Sequence, residues 1–200
     1  NELNDCIAKR EYYIHLKNER IGKLNDQLRN AGDDSQRIEI YDNLFEEYKS
    51  YKYDSAYFCI RKVLDMATHA GDVNKIAEAK QHMVFCYLSS GLFKEAADMV
   101  STIHVNTLPG ELRKSQYLLL ARLYSDMSNY NNVEPFRSEY VKEGIQYCDS
   151  AINYLVPQSI DYLYIAGVKE MLREDYTNHS TRCSPYPIST TTRTPLPPHA

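Results

Sequence analysis

"AEAKQHMVFCYLSSGLFKEAADMVSTIHVNTLPG", Ala77 to Gly110, is the stretch that decides the fold. Its first half sets Met83, Val84 and Tyr87 on one face at helical spacing. "SSG" then supplies a turn, because Gly91 tolerates the positive φ that closes a helix. Phe93 covers that turn, and "KEAADMVSTI" starts a second helix. Ala96 is small enough to let the first helix cross closely, and Val100 and Ile103 continue its face. Pro109 ends the unit, since proline cannot continue a helix. The whole is 34 residues long and reads as a helix–turn–helix pair.

The same grammar recurs on both sides, as an internal repeat should. Upstream, Arg37–Ala70 places Ile40, Asn43, Leu44 and Tyr48 along a first helix, Ala56 at the small position, and Ile60 and Val63 after it. Tyr51 stands at the turn in place of glycine, and "GDVNKI" after Ala70 reads as a longer connection between repeats. Downstream, "KSQYLLLARLYSDMSNY" aligns Tyr117, Leu120, Ala121 and Tyr124. Its second helix resumes at "YVKEGIQYCDSAINYLVP", with Gly144 at the small position, Cys148 and Ala151 following, and Pro157 closing. The spacing leaves an insertion of about ten residues, Asn129–Ser138, at that turn, a place where repeats put partner-touching loops or inert excursions. Ser159–Tyr176 supplies one more first helix, whose apolar face (Leu163, Ala166 and Met171) is expected to lean on the third repeat alone.

Two flanks frame the array. In residues 1–32, Ile7, Ile14, Ile21 and Leu28 recur every seven residues along one long helix, ended by Asn30–Gly32. Arg10 and Lys17 interrupt a second apolar line, which favours docking on the first repeat over a homodimeric coiled coil. Residues 177–200 hold five prolines and many Ser and Thr, and are expected to be irregular or disordered. Against the repeat register they read as a foreign ending on an array that normally continues.

The 33–176 segment resembles the tetratricopeptide repeat (TPR) family, in about three and a half copies. Tyr87, Gly91 and Ala96 hold the family's aromatic, turn and small positions, while Pro109 lies one residue beyond the usual closing proline. The fold expected is all-α, a right-handed solenoid of antiparallel helix pairs. "YDNLFEEYKSYKYDSAYFCIRKVL" (Tyr41–Leu64), with the helix before it, is similar to a narrower group, Bacteroidetes-type membrane-anchored transcriptional regulators. That resemblance implies an exported TPR segment, then one membrane helix, then a cytoplasmic regulatory portion. It places this segment on the periplasmic face of the inner membrane and leaves DNA binding to the other parts.

Composition narrows the function. The net charge is -4 with both signs interleaved, so the basic footprint of a nucleic-acid binder is missing. "YLLLARLY" (Tyr117–Tyr124) is the most apolar run and is too short to cross a bilayer. Cys6, Cys59, Cys86, Cys148 and Cys183 match neither a zinc site nor a redox motif, and read as free thiols, most of them buried. Free thiols favour a reducing compartment and so set a cytoplasmic alternative beside the periplasmic one. No histidine pairs at ligand spacing and no P-loop, GxSxG or dinucleotide fingerprint occurs, so no catalytic residue, metal or cofactor is expected.

TPR arrays hold peptides on the concave face lined by the first helix of each pair. The resemblance assigns that face here to Tyr41, Phe45, Tyr48 and Lys49, then Gln81, His82, Phe85 and Ser89, then Arg122 and Asp126. An aromatic, mildly polar groove suits a protein or peptide partner. The family's carboxylate clamp needs Lys and Asn where Tyr41 and Phe45 stand, so that role does not carry over. The plainer alternative is that these aromatics only fill the space between helices. Two others are a small-molecule pocket beside the Asn129–Ser138 insertion, and dimerisation through the N-terminal helix.

Overall fold

Asp33 opens the repeat array. Its Oδ1 accepts from the Gln36 backbone N–H at 2.8 Å, while Gln36 Oε1 accepts from the Gly32 N–H at 3.0 Å. This reciprocal capping satisfies donors a helix start otherwise leaves orphaned. The computed structural model describes residues 2–182, which fold as α1 (Glu2–Asn30), α2 (Asp34–Tyr48), α3 (Tyr53–Ala70), α4 (Val73–Ser89), α5 (Phe93–Ser101), α6 (Gly110–Tyr130), α7 (Phe136–Ile152) and α8 (Ile160–Arg182). A single 3₁₀ turn, Val105–Thr107, lies between α5 and α6. The described residues form an all-α, TPR-like solenoid: α2/α3, α4/α5 and α6/α7 are the pairs, and α8 begins a fourth.

The turns follow their residues. Gly91 sits at φ 73° between α4 and α5, as its place in the repeat demands. Tyr51 closes the α2–α3 turn without a left-handed residue; its N–H and that of Lys52 both bond the Tyr48 carbonyl, at 3.0 and 2.9 Å. Two connections differ from expectation. "GDVNKI" is no long linker: Gly71 (φ 69°) ends α3, Asp72 Oδ1 accepts from the Lys75 N–H at 3.0 Å, and α4 is already under way at Val73. The third turn is also shorter than the expected insertion Asn129–Ser138. Only 131–135 lie outside helix, because α6 runs on to Tyr130 and α7 starts at Phe136.

The small positions do what small residues do at close crossings. Ala56 and Ala96 are fully buried, as are Cys148 and Ala151 below Gly144. A Cβ on Gly144 would come within 2.8 Å of Leu172 Cδ1. Around them Phe45, Ile60, Val63, Val84 and Leu123 are also buried, each worth about 1.5–3 kcal/mol when removed from water.

α8 is turned differently from expectation. Ile165 and Leu172 are buried, and Val168 packs beside them against α6 and α7, while Leu163 and Met171 are exposed. The helix is apolar on more than one side, and α7 selects the stripe it covers. Lys169 pairs with Asp149 of α7 beside that stripe. α8 also continues past Tyr176 to Arg182; the rest of the irregular segment expected at 177–200 lies outside the described residues. At the other end, only the second half of α1 docks. Ile21 is buried, Leu24 and Leu28 pack beside it, and Arg20 makes a bidentate pair with Glu47 of α2 at 2.6 and 3.0 Å.

Candidate partner-binding face

α2, α4 and α6 are the first helices of their pairs, and one face of each contributes to a shared surface. On α2, Phe45 and Lys49 are four residues apart and so share a stripe. On α4, His82, Phe85 and Ser89 do the same, and on α6, Arg122 and Asp126. The rings form steps across the helices. Phe45 stacks on His82 at 4.4 Å between centroids and meets Phe85 edge-on at 6.3 Å. The Arg122 guanidinium lies 5.2 Å from the Phe85 centroid, and Lys49 Nζ lies 5.8 Å from that of Phe45. Arg122 also donates to Ser89 Oγ at 3.2 Å, and its Nε lies 3.4 Å from Asp126 Oδ2. Cations therefore flank a short aromatic ladder.

Burial sorts the expected residues. Lys49, His82, Phe85, Ser89, Arg122 and Asp126 keep part of their surface and lie together on this face. Phe45 and Gln81 are buried and act from beneath it. Gln81 donates to the Leu112 carbonyl at 2.8 Å and to Gln116 Oε1 at 3.1 Å, so its amide joins α4 to α6. Tyr41 and Tyr48 are not on this face. They line a crevice toward α1 and α3 with Asn25, Leu28, Phe58 and Cys59.

A charged cluster next to the ladder is not legible in the repeat register. Lys75 Nζ reaches Asp42 Oδ2 at 2.7 Å and Glu78 Oε2 at 2.8 Å. The register starts the second repeat at Ala77, which leaves Lys75 in a supposed linker. The lysine three residues before Glu78 was the available signal. Burial pushes the Asp42 carboxyl up, against the pull of Lys75. Burial would lower Lys75, but its bonds to Asp42 and Glu78 hold it above its ordinary value. Burial also pushes His82 down, so the ring stacked on Phe45 is neutral at pH 7. Asp126 is raised by burial in spite of Arg122.

Three of the thiols are shielded from solvent. Cys59, Cys86 and Cys148 are free and buried, and burial raises them to about 12, 11 and 11. Among the described residues no three His, Cys, Asp or Glu side chains converge as a metal ion requires. No described helix is long and apolar enough to cross a membrane.

Paired helices, small residues at the crossings and an aromatic face on the first helices define a TPR-type domain, a class of scaffold that generally binds proteins or peptides. Within that class, the SusR N-terminal TPR domain family matches residues 7–187, and this chain belongs to it. The match runs through the first part of the proline-rich segment that the repeat register sets apart. Comparison with curated proteins and with solved structures finds no match.

Proposed function

We propose that this chain is the non-enzymatic sensory segment of a membrane-anchored transcriptional regulator, and that it binds a protein or peptide on the face of α2, α4 and α6. One observation carries the binding reading: Phe45, His82, Phe85 and Arg122 form a continuous ladder across three helices. The partly exposed His82 and Phe85, backed by buried Phe45, give contact area at low entropy cost, and the half-buried Arg122 and Lys49 supply donors for backbone carbonyls or acidic side chains. Membership of the SusR N-terminal TPR domain family supports the regulatory reading; in that reading the segment faces the periplasm and DNA binding belongs elsewhere in the protein.

Panning a random peptide library on the purified segment tests this, followed by calorimetry on the enriched sequences. Phe85→Ala and Arg122→Ala should each weaken binding about tenfold or more. Enrichment of nothing above a blank surface, or peptides indifferent to both changes, would sink the reading. Topology has its own test. An apolar helix encoded downstream, and protease cleavage of this segment in spheroplasts but not in whole cells, are the expected results.

A small-molecule reading has one observation behind it, away from the third turn. A crevice of about 300 Å³ lies between α5, α6 and α7, lined by Val100, Leu120, Leu123, Tyr124, Tyr147 and Gln116. A metabolite that raises the melting temperature, with the rise abolished by Leu123→Phe, would favour this crevice over the ladder.

A further inference from the structure

Two helices of the array, α1 and α8, carry apolar side chains that the other described residues leave exposed. At the N-terminal end α1 projects beyond α2, and Ile7, Tyr13 and Ile14 are 49 %, 64 % and 45 % exposed. Arg10 and Lys17 border this patch, and Tyr51 closes it below. At the C-terminal end Ile160, Leu163, Tyr164 and Met171 are 86 %, 60 %, 58 % and 43 % exposed along one side of α8. Gly167 lies at the middle of that side, and a Cβ placed on it would meet nothing within 4 Å. Glu170 and Glu174 border this stripe.

The two patches are similar in length and carry opposite charges along one flank. Ile7–Lys17 and Ile160–Met171 span about 15 and about 16.5 Å of helix. Arg10 and Lys17 lie along one flank of the α1 stripe, with Glu11 on the other, and Glu170 lies along a flank of the α8 stripe. We propose that the projecting half of α1 packs antiparallel on α8 of a second copy of this chain, with Ile14 seated over Gly167. At about 3.6 residues per turn, Arg10 and Lys17 fall on one side of the α1 stripe. Leu163 and Glu170 fall on the facing side of the α8 stripe, because antiparallel helices match like flank to like flank. Arg10 then stands nearest Glu170 of the second copy, and the Lys17 stem lies along its Leu163. Glu170 meets its own Arg173 at 3.0 Å on an exposed surface, a weak pair that can share a second cation. The contact is head to tail: each copy offers α1 to one neighbour and α8 to another, or two copies close on each other.

Light scattering coupled to size exclusion, over a dilution series from about 100 µM, tests the proposal. The mass should rise above that of a monomer with concentration. Arg10→Glu and Glu170→Arg should each lower the association constant about tenfold. An equimolar mixture of the two variants should restore it, as should the double variant, because each new charge then faces its opposite. Gly167→Glu should abolish association. All three positions are exposed, and circular dichroism and thermal melts confirm that each variant folds. A monomer at every concentration overturns the proposal. So does association that ignores Glu170→Arg and Gly167→Glu while responding to Arg10→Glu, which is the signature of α1 pairing with itself.

Discussion

α5 and α7 hold the same place in successive repeats, yet α5 has 9 residues and α7 has 17. α7 is buried along its length through Val141, Gly144, Cys148 and Ala151, and closes on both α6 and α8. α5 buries Ala96 alone within the helix. Its end is local in origin: the Thr102 hydroxyl turns back to the Met99 carbonyl at 2.8 Å, and the chain leaves the helix before Ile103. The space a longer helix would fill is taken by irregular chain. Ile103 and Leu108 bury beside Ala77 and Leu112, and Arg113 holds the Asn106 and Leu108 carbonyls at 3.0 and 2.9 Å. The repeat register thus constrains the crossing point tightly and the length of each helix loosely. The junction of the second and third repeats is the softer one.

The comparison can be broken most sharply by cavities. Leu172→Ala empties a fully buried site between α7 and α8 and should cost about 2–5 kcal/mol in urea unfolding. Val100→Ala on half-buried α5 should cost only about 1 kcal/mol. Equal losses would show α5 to be as tightly held as α7.

Overpacking comes next. Ala96→Leu, at a fully buried crossing, should lose about 1–3 kcal/mol in the same measurement. Gly144→Ala should lie near zero. Its new methyl gains about 1 kcal/mol of helix propensity, but Leu172 Cδ1, which it would approach to 2.8 Å, must swing aside. A loss at Gly144 as large as at Ala96 would mean that Leu172 cannot move.

Local opening gives a smaller signal. Hydrogen exchange should release the amides of α5 before those of α7, since few buried contacts hold α5 shut. Simultaneous exchange would make the two repeats one cooperative unit.

The mildest effect is one of pH, away from both helices. His82 is held neutral by burial, so its folded pKa lies below its unfolded value near 6.5. Its contribution is complete above that unfolded value and is lost as pH falls toward the folded one. Asp42 has the opposite sign, since its folded carboxyl is raised. The melting temperature should therefore begin to fall as pH drops below about 6.5. His82→Phe should flatten that fall while keeping the stack on Phe45. An unchanged slope in the variant would remove His82 as the cause.

Much of the architecture is legible in single residues. Gly91 at its turn and Ala56, Ala96 and Gly144 at the crossings are local necessities, because a positive φ or a close helix leaves few choices. The candidate face is half legible. Lys49, His82, Phe85, Ser89, Arg122 and Asp126 meet on one surface, since i, i+3 and i+4 spacing fixes a face within each helix. Tyr41 and Tyr48 leave that face for the crevice toward α1 and α3. Asp42 and Lys75 pair beside it and are not legible in the sequence, because an ion pair between helices 33 residues apart leaves no periodic mark in either helix.

By itself the sequence determined that the chain is helical, that the helices come in pairs, and where the pairs cross. These follow from periodicities and backbone preferences that act within about one or two turns. Only the tertiary structure decided that α8 would bury Ile165 and Leu172 and expose Leu163 and Met171, and that α1 would dock by one half. Each helix has more apolar surface than one neighbour can cover. Which stripe is buried is then set by the helix that happens to pack against it, and that choice is not written locally.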